Sequence, residues 1–596
     1  MARNKFDVDE ELEAPFQLSH LKRVLVYVKP YVWKMVIALI ISAVTWCLSL
    51  LGTKIFQWTL DIAIPNKDIR MVLQLALLNI IATALILGLV VVRGRLMAHV
   101  SNYIICDIRR DLFAHLQKLP FAYYDSRPAG KILVRVINYV NSVSNILTNG
   151  IVNTVIELIG LVLIAIFMFM TNVRLSLVIV AGLPVFLFFV FLIKPLQRRA
   201  WQRCSNKSAN YNAFLAESID GVRVSQLFSR QEENKSIMER LSKACRHEWL
   251  RALYISHSVW FSSQFVTQTV FCFLYVTGVY WLSGSMVSFG VIMAMGDYVN
   301  RFWGPITNLA NIYNDFVNNL AYLERIMETM DEPVDIDDAP DAVELPKITG
   351  ELSFNHVTFG YEPGIHILED FNLHVKPGES IALVGETGAG KTTVVNLISR
   401  FYDIESGSIE LYADDGSGVK PYGVSAVTLN SLRRQMGIMM QDSFIFSGTI
   451  LDNIRYGKLD ATEEEIVAAA KAVCAHDFIS KMPNGYYTEV SERGGSLSQG
   501  QRQMISFART LLSDPAILIL DEATSSIDTK TERLLQQGIA KLLEGRTSFI
   551  IAHRLSTIKN CDQILVIGNK GIIESGTHYE LMERKGAYYQ LSTAQK

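Results

Sequence analysis

The stretch that decides the fold of the second half of this 596-residue chain is Gly385-Glu386-Thr387-Gly388-Ala389-Gly390-Lys391-Thr392. It matches the pattern G-x-x-x-x-G-K-[ST], in which glycines let a loop turn tightly and direct its backbone N–H groups at phosphate oxygens. The apolar run Ser380–Val384 precedes the loop, and a helical run, residues 393–398, follows it. Because a helix N-terminus favours anions, this arrangement predicts a nucleoside triphosphate site. The alternative is a glycine-rich turn before a helix.

The residues of this loop form the predicted phosphate-binding part of that site. Lys391 is expected to reach the terminal phosphates, and the Thr392 hydroxyl is expected to bind Mg²⁺. The predicted nucleotide-binding residues of this segment are Gly385, Glu386, Thr387, Gly388, Ala389, Gly390, Lys391, Thr392 and Thr393.

Two adjacent carboxylates, Asp521 and Glu522, follow an apolar run at residues 516–520. Such a run is typical of a strand in a sheet that is buried on both faces. Hydrolysis of a triphosphate needs a carboxylate for the metal and a group that orients the attacking water. We therefore expect Asp521 to hold Mg²⁺ through water and Glu522 to orient or deprotonate the attacking water.

The composition excludes several classes of protein. Half of the residues are hydrophobic and 19% are charged, which is apolar for a soluble protein of this size. The net charge of −2 gives no sign of a nucleic-acid partner. The 7 cysteines are scattered and form no C-x-x-C pair, so a disulfide scaffold or a zinc site is not expected.

The hydrophobic residues are concentrated before about residue 330. A membrane-spanning helix needs about 20 predominantly apolar residues. Six runs are candidates, at residues 33–58, 71–92, 151–170, 175–193, 259–282 and, more weakly, 287–317. Asp297, Asn300 and Arg301 interrupt the last run. The sequence therefore predicts a multi-pass membrane protein with six spans.

The placement of lysine and arginine predicts the orientation of these spans. The long connections at residues 96–135 and 194–251 are rich in both, whereas the short loops at 61–70, 171–174 and 283–288 are nearly uncharged. Basic residues stay inside the cell, so both termini and the phosphate-binding loop are expected in the cytoplasm, at the cell membrane.

Both long connections contain apolar residues at helical spacing. This pattern predicts helices that continue from the spans beyond the bilayer, broken near Gly130 and Gly221. The alternative is a pair of solvated basic loops.

Four segments are expected along the chain. An acidic, proline-containing stretch at residues 331–341 indicates an exposed boundary, and β-type and helical runs alternate from Gly350 onward. The predicted segments are an N-terminal cytoplasmic segment (1–30), a transmembrane domain (31–328), a linker (329–347) and an α/β nucleotide-binding domain (348–596).

The chain resembles the ATP-binding cassette (ABC) transporters, specifically exporter half-transporters with six spans and one nucleotide-binding domain. The most specific element is Leu497-Ser498-Gln499-Gly500-Gln501, which is similar to the family signature LSGGQ. The resemblance implies an all-α transmembrane domain of the type I exporter fold followed by an α/β P-loop NTPase domain. It also implies that the signature contacts the ATP of the opposite subunit, with Ser498 close to the γ-phosphate.

The resemblance assigns roles to four further residues. Tyr361 resembles the aromatic residue that stacks on adenine, and Gln441 resembles the glutamine that contacts Mg²⁺ or water. Asp528 resembles the D-loop aspartate, and His553 resembles the switch histidine near the γ-phosphate. The resemblance therefore implies Glu522, His553 and Gln441 as the catalytic residues.

Other parts of the resemblance concern coupling and departures from the family pattern. Residues 124–130 and 218–223 are similar to the two coupling-helix regions of the family. Gln499 stands where the signature usually has glycine, and Ser491 also replaces a usual glycine.

The function implied by the resemblance is ATP-driven export of a hydrophobic or amphipathic substrate, such as a drug, lipid or peptide. ATP and Mg²⁺ are the expected cofactors, and a second half-transporter is the expected partner. The variant signature beside complete hydrolytic residues favours a heterodimer over a homodimer. A dedicated peptide or siderophore transporter stays open as an alternative, and so does an ATP-gated channel or a non-transporting ATP sensor.

Overall fold

The computed structural model describes residues 18–125, 127, 129–283, 287–362, 364–439, 443–491, 494–522, 529–552 and 558–594. The described residues fall into two compact units. The first draws on Met1–Gln117 and Ala129–Glu332, and the second on Lys118–Pro128 and Pro333–Lys596. A short segment from the middle of the membrane half of the sequence therefore belongs to the second unit.

The described part of the first unit is helical. The α-helices before the first strand are α1 (Leu18–Val28), α2 (Val32–Trp58), α3 (Ile69–Leu116), α4 (Phe121–Asp125), α5 (Ala129–Val134), α6 (Val140–Asn145), α7 (Ile151–Thr171), α8 (Val173–Ala181), α9 (Leu183–Asp220), α10 (Val222–Leu227), α11 (Gln231–Ser283) and α12 (Phe289–Asp331). Of these, α4 lies in the second unit. Short π-helical stretches occur at Thr59–Ala63, Arg135–Tyr139 and Ile146–Gly150.

Polar N-cap residues define where helices begin after the short loops. The Asp68 carboxylate accepts a hydrogen bond from the Met71 N–H at the start of α3. Asn172 caps α8 in the same way, and Ser288 caps α12. A side-chain oxygen at this position satisfies a backbone N–H that has no partner within the helix.

Helices long and apolar enough to cross a membrane number 5 among the described residues: Arg23–Ala63, Ile69–Leu116, Ile151–Thr171, Val173–Asp220 and Gln231–Tyr280. They coincide with the first five predicted spans. The sixth predicted span coincides with α12, which is a continuous helix but is not among the 5. Its charged and amide side chains lower its hydropathy.

The predicted continuation of the spans as longer helices is confirmed. The helices α3, α9 and α11 contain 48, 38 and 53 residues, far more than a span requires. As predicted, a break occurs at Gly221, which separates α9 from α10. The other predicted break differs: α3 already ends at Leu116, and Gly130 lies inside α5, because a single glycine is tolerated within a helix.

The core of the first unit is made by α2, α7, α8, α9, α11 and α12. Its largest buried side chains include Tyr298, Phe186 and Trp303. Gly182 allows a close helix approach: a Cβ atom there would lie 2.5 Å from a methyl group of Val270, so a larger residue would force Val270 to move. Such small residues are common at interfaces between membrane helices.

The second unit is an α/β domain. Its strands are β1 (Ile348–Phe359), β2 (Leu368–Val375), β3 (Ser380–Val384), β4 (Ser406–Asp414), β5 (Val419–Gly423), β6 (Met436–Met439), β7 (Gly448–Thr449), β8 (Glu489–Val490), β9 (Ile517–Glu522), β10 (Thr547–Ala552), β11 (Gln563–Gly568) and β12 (Gly571–Gly576). Its helices after α4 are α13 (Lys391–Ile398), α14 (Leu429–Arg434), α15 (Ile450–Arg455), α16 (Glu463–Ala472), α17 (His476–Ile479), α18 (Gln499–Leu512), α19 (Thr529–Leu543), α20 (His578–Arg584) and α21 (Ala587–Ala594).

Two main sheets organise this domain. An antiparallel sheet has the strand order β2-β1-β4-β5, and a larger sheet has the order β12-β11-β3-β10-β9-β6. In the larger sheet β3, β6, β9, β10 and β11 run parallel, and β12 is antiparallel. Alternate residues of β3 enter two different apolar clusters, Ile381 and Leu383 in one and Ala382 and Val384 in the other. Burial on both faces explains why these strands are continuous apolar runs.

Candidate active site

The predicted phosphate-binding loop connects β3 to α13. Three of its glycines have positive φ: 155° at Gly385, 85° at Gly388 and 103° at Gly390. A Cβ atom on Gly385 would lie 2.3 Å from the Ile567 carbonyl oxygen, so that position has no room for a side chain. Because α13 begins without a side-chain cap, its first N–H groups can face an anion. The loop therefore fits the phosphates of a nucleotide.

Lys391 is the first residue of α13, and its side chain folds back over the loop. Its ammonium group donates hydrogen bonds of 2.8 Å to the carbonyl oxygens of both Gly385 and Glu386. Burial lowers the pKa of Lys391, and the charge of Asp521 acts in the opposite direction. The structure thus brings together the predicted phosphate-binding lysine and the predicted metal-binding carboxylate.

The carboxyl ends of β3, β9 and β10 meet at one edge of the large sheet. In the parallel ladder Asp521 of β9 lies opposite Ile551 of β10, which in turn lies opposite Leu383 of β3. Thr392, the other predicted magnesium ligand, lies exposed in the first turn of α13. The phosphate loop and Asp521 therefore share this edge of the sheet.

Several predicted residues lie outside the described part of the chain. Gln441, Asp528 and His553 are not among the described residues. Glu522 is the last residue of β9 and pairs with Ala552 of β10, but its side chain is not described. Their roles remain predictions from the sequence.

Tyr361 lies beside the phosphate loop, next to two other aromatic rings. Its hydroxyl is 3.1 Å from that of Thr393, which is buried in α13. The Tyr361 ring lies edge-on to the rings of Phe359 and Tyr402, with centroids 5.0 Å away in each case. Nearly half of the Tyr361 side chain is exposed, so a face of the ring is available for stacking on a planar base.

The signature, residues 497–501, forms the N-terminus of α18. Ser498 is the N-cap: its hydroxyl oxygen accepts a hydrogen bond of 3.2 Å from the Gln501 N–H. The Gln501 side-chain oxygen accepts a reciprocal bond of 2.9 Å from the Ser498 N–H. Leu497 and Gly500 are buried, whereas Ser498 is exposed and Gln499 is half-buried. The variant glutamine therefore leaves the helix cap intact.

Two arginines of α18 support this region, and the sequence analysis missed both. Arg502 donates a 2.8 Å hydrogen bond to the Leu497 carbonyl and holds the turn before the signature. Arg509 donates to the Asn453 carbonyl at 2.8 Å and to the Phe444 carbonyl at 3.1 Å. Burial lowers the pKa of Arg509. In the sequence both arginines resemble ordinary surface residues of an amphipathic helix, so their roles could not be predicted.

Helix α4, which overlaps the first predicted coupling region at residues 124–125, packs on the nucleotide-binding domain within the second unit. The Phe121 ring of α4 lies 4.5 Å from the Phe401 ring. The Tyr402 hydroxyl donates a 2.7 Å hydrogen bond to Asp125, the last residue of α4. Tyr402 and Asp125 were not predicted as partners, because 277 positions separate them in the sequence.

Comparison with protein families matches both halves of the chain. A family model described as ABC transporter transmembrane region matches residues 35–306, and one described as ABC transporter matches residues 368–525. The chain is 38% identical to the Bacillus subtilis protein YknV, an uncharacterized ABC transporter ATP-binding protein, over 100% of this chain and 98% of that protein.

Two further relatives carry names that describe a cargo. The chain is 35% identical to the fatty acid ABC transporter ATP-binding/permease protein of Mycobacterium tuberculosis, over 88% of this chain and 81% of that protein. It is 34% identical to YgaD, a putative multidrug export ATP-binding/permease protein of Bacillus subtilis, over 96% of this chain and 99% of that protein. The solved structure of a bacterial Atm1-family ABC exporter with ATP bound matches with a TM-score of 0.76 and 26% identity, covering 97% of this chain and 99% of that one.

Proposed function

Because this chain belongs to the ABC transporter family, we propose that it exports a hydrophobic or amphipathic substrate as one half of a dimer. The family and the fold class inferred from the sequence are confirmed. The chain is an ABC exporter that hydrolyses ATP, and it is a multi-pass membrane protein with a cytoplasmic nucleotide-binding domain. The substrate, the partner and the roles of single residues belong to the proposal.

The arrangement of the signature carries the dimer proposal. The chain has one phosphate loop and one signature, and Ser498 presents an exposed, capped helix N-terminus. Such a terminus can stabilise the γ-phosphate of a nucleotide bound to a second domain. Two nucleotide sites would form at the interface of two half-transporters, and both would be complete only when the domains close. The variant signature with complete hydrolytic residues favours a heterodimer.

Each part of the site would contribute a different interaction. The N–H groups of residues 385–391 and the Lys391 ammonium would bind the phosphates, and Tyr361 would stack on the adenine. Mg²⁺ would neutralise charge on the phosphates, held by Thr392, Gln441 and, through water, Asp521. Glu522 would orient or deprotonate the attacking water, with His553 near the γ-phosphate and Asp528 at the interface.

Transport would follow from the preference of ATP for the closed dimer. A ligand shifts a conformational equilibrium only by the difference in its affinity for the two states. ATP bound between two domains contacts both of them, so it stabilises the closed state, and hydrolysis removes that stabilisation. The segment Lys118–Pro128, which packs on the nucleotide-binding domain, would transmit closure to the membrane helices and reorient the cavity.

The substrate is proposed at the level of a class. The M. tuberculosis relative is named for fatty acids and the B. subtilis relative for multidrug export, and both names describe amphipathic or apolar cargo. A row of exposed aromatic side chains on α11, including Trp260, Phe261 and Phe265, could contact such molecules or lipid. A dedicated peptide or siderophore transporter remains the second candidate.

Inside-out membrane vesicles give the direct test. The chain would be produced alone and together with a candidate partner half-transporter from the same organism, and ATP-dependent uptake of a fluorescent amphiphile would be measured. We expect uptake with ATP and its loss in Glu522→Gln, which removes the proposed base but keeps the size of the side chain. ATP turnover in Glu522→Gln at the wild-type rate would contradict the role of Glu522, and no uptake with either composition would contradict export.

A further inference from the structure

One face of α12 is both polar and exposed, at residues that the sequence places within a membrane span. Asn300, Gly304, Asn308, Asn311 and Asp315 are exposed, and they recur every three or four residues, which places them on one side of the helix. The stripe is about 22 Å long at 1.5 Å per residue, most of the thickness of the hydrocarbon core.

The other spans present the opposite kind of surface. Exposed side chains of α3, α9 and α11 include many large apolar residues, such as Leu77, Phe191 and Phe273. Among the side chains of α12 that the structure describes, Phe289 is the one large apolar side chain that is exposed. Amide and carboxylate groups are costly in hydrocarbon, whereas they are well solvated in water. The polar face of α12 therefore lines a water-filled path rather than lipid.

Charged side chains of α12 and of neighbouring helices lie along this face, and two of those on α12 form an ion pair. Asp297 and Arg301 form an ion pair at 2.8 Å, and both also contact hydroxyls of α2. Lys194 of α9 donates a 2.6 Å hydrogen bond to Asn311, one turn before Asp315. Lys54 contacts Gln57 towards the outer end of α2.

Glu157 of α7 is a carboxylate on this face that hydrogen-bonds to a neutral group. Its carboxylate accepts a 2.8 Å hydrogen bond from the amide of Asn308, and no ion pair formed by the described residues includes it. Glu157 lies about 9 Å from the start of α7, on the cytoplasmic side of the predicted span. A neutral amide leaves the negative charge of a carboxylate uncompensated, so this position attracts a cation.

We propose that Glu157, with Asn308 beside it, binds the positively charged head of an amphipathic organic cation in the translocation path. This inference rests on the proposed export function and narrows its substrate class. The apolar part of such a molecule would contact the surrounding apolar helices, while its cationic head would remain at the polar face of α12. A carboxylate in the cytoplasmic half of the path suits capture from the cytoplasm or the inner leaflet.

A pair of ions with the same shape and opposite charge tests this directly. Tetraphenylphosphonium and tetraphenylborate would be titrated against the ATPase activity of the reconstituted dimer, and the half-effective concentrations would be compared. We expect the cation to act at a concentration about tenfold lower than the anion, which corresponds to about 1.4 kcal/mol. In Glu157→Gln the value for the cation should rise about tenfold, with the value for the anion within twofold of wild type.

Control variants separate charge from structure. Glu157→Asp and Asn308→Ala keep the carboxylate and should retain the preference for the cation, and Glu239→Gln removes an exposed carboxylate of α11 outside the predicted span. Equal potency of the two ions on the wild type, or an unchanged cation titration in Glu157→Gln, would overturn the cation site. The neutral dye Nile red separates a failure of the cation site from a failure of the proposed export function. If Nile red stimulated the ATPase activity and the two ions were equally potent, the cation site alone would be refuted. If none of the three compounds changed the ATPase activity, the proposed export function would be refuted.

Discussion

The hydroxyl of Tyr402 donates a 2.7 Å hydrogen bond to the Asp125 carboxylate, and the Tyr402 ring lies edge-on to Tyr361. Burial and the hydrogen bond to Asp125 raise the pKa of Tyr402, so its hydroxyl remains a donor at physiological pH. One side chain therefore contacts both the proposed adenine platform and α4, which the chain places between the membrane helices α3 and α5. This relationship makes Tyr402 a positioning residue for coupling.

Tyr402→Phe is expected to weaken coupling more than it weakens ATP binding. The substitution keeps the ring against Tyr361 but removes the hydrogen bond to Asp125, which is worth about 0.5–1.5 kcal/mol. We expect transport per ATP hydrolysed to fall by about two- to tenfold, with the KM for ATP unchanged. Uptake and ATPase rates would be measured on the same vesicles.

Two companion variants sharpen that test. Asp125→Ala removes the group that accepts the bond and should reduce coupling as Tyr402→Phe does. Tyr579→Phe changes an exposed tyrosine of α20 and should leave coupling at the wild-type value. If Tyr402→Phe and Tyr579→Phe gave the same transport per ATP, the hydrogen bond would have no part in coupling.

Lys391→Met should abolish most ATP hydrolysis. The ammonium group is held over the phosphate loop by two carbonyl oxygens, where phosphate oxygens would lie, and methionine has no charge to offer them. Loss of one such donor typically reduces turnover by about 10²–10³-fold. Phosphate release would be measured with Lys376→Met, an exposed lysine after β2, as the control. Turnover within a few fold of wild type would show that Lys391 does not bind the phosphates.

Ser498→Ala and Gln501→Ala separate helix capping from contact with nucleotide. Each removes one hydrogen bond of the same capping box and should lower stability by about 1 kcal/mol. Ser498→Ala also removes the hydroxyl proposed to contact the γ-phosphate, so we expect a larger fall in ATPase rate than in Gln501→Ala. Thermal unfolding and phosphate release would be compared on the two variants. Equal loss of activity at equal loss of stability would assign Ser498 a capping role only.

Arg509→Ala should destabilise the nucleotide-binding domain. Its guanidinium group bonds the carbonyls of Asn453 and Phe444 and the Asn453 side chain, and bonds to charged groups contribute about 1.5–3 kcal/mol. A loss of this size corresponds to a fall of roughly 5–10 °C in the unfolding temperature. Differential scanning fluorimetry of the purified chain would measure it, with Arg434→Ala as an exposed control. Equal unfolding temperatures in the two variants would refute a structural role for Arg509.

Much of the fold could be predicted from the sequence because it depends on local patterns. The predicted strand before the phosphate loop is β3, with the predicted bounds Ser380–Val384. The break at Gly221 was predicted from a single glycine, and the positions of the first five spans from hydropathy. The hydropathy of the sixth predicted span is lower than that of the others, because α12 has polar residues along one face.

The candidate site was predictable only in part. Residues 385–393, Asp521 and the signature lie in contiguous motifs, and their types alone indicate phosphate and metal chemistry. Tyr402 and Arg509 lie in no motif, Asp125 lies in a predicted coupling region without a predicted partner, and the partners of all three are distant in sequence. Pattern reasoning cannot find such pairs, because neither residue type nor spacing marks them.

By itself, the sequence determined the class of the protein: a helical membrane half, a P-loop domain and the order of the motifs that bind ATP. These properties follow from composition, periodicity and short-range backbone geometry, which act over a few residues. The tertiary structure decided which distant groups meet, as in the bond from Tyr402 to Asp125 and the contact between Glu157 and Asn308. Such pairs depend on how helices and strands pack, and packing is set by the whole core rather than by any single segment.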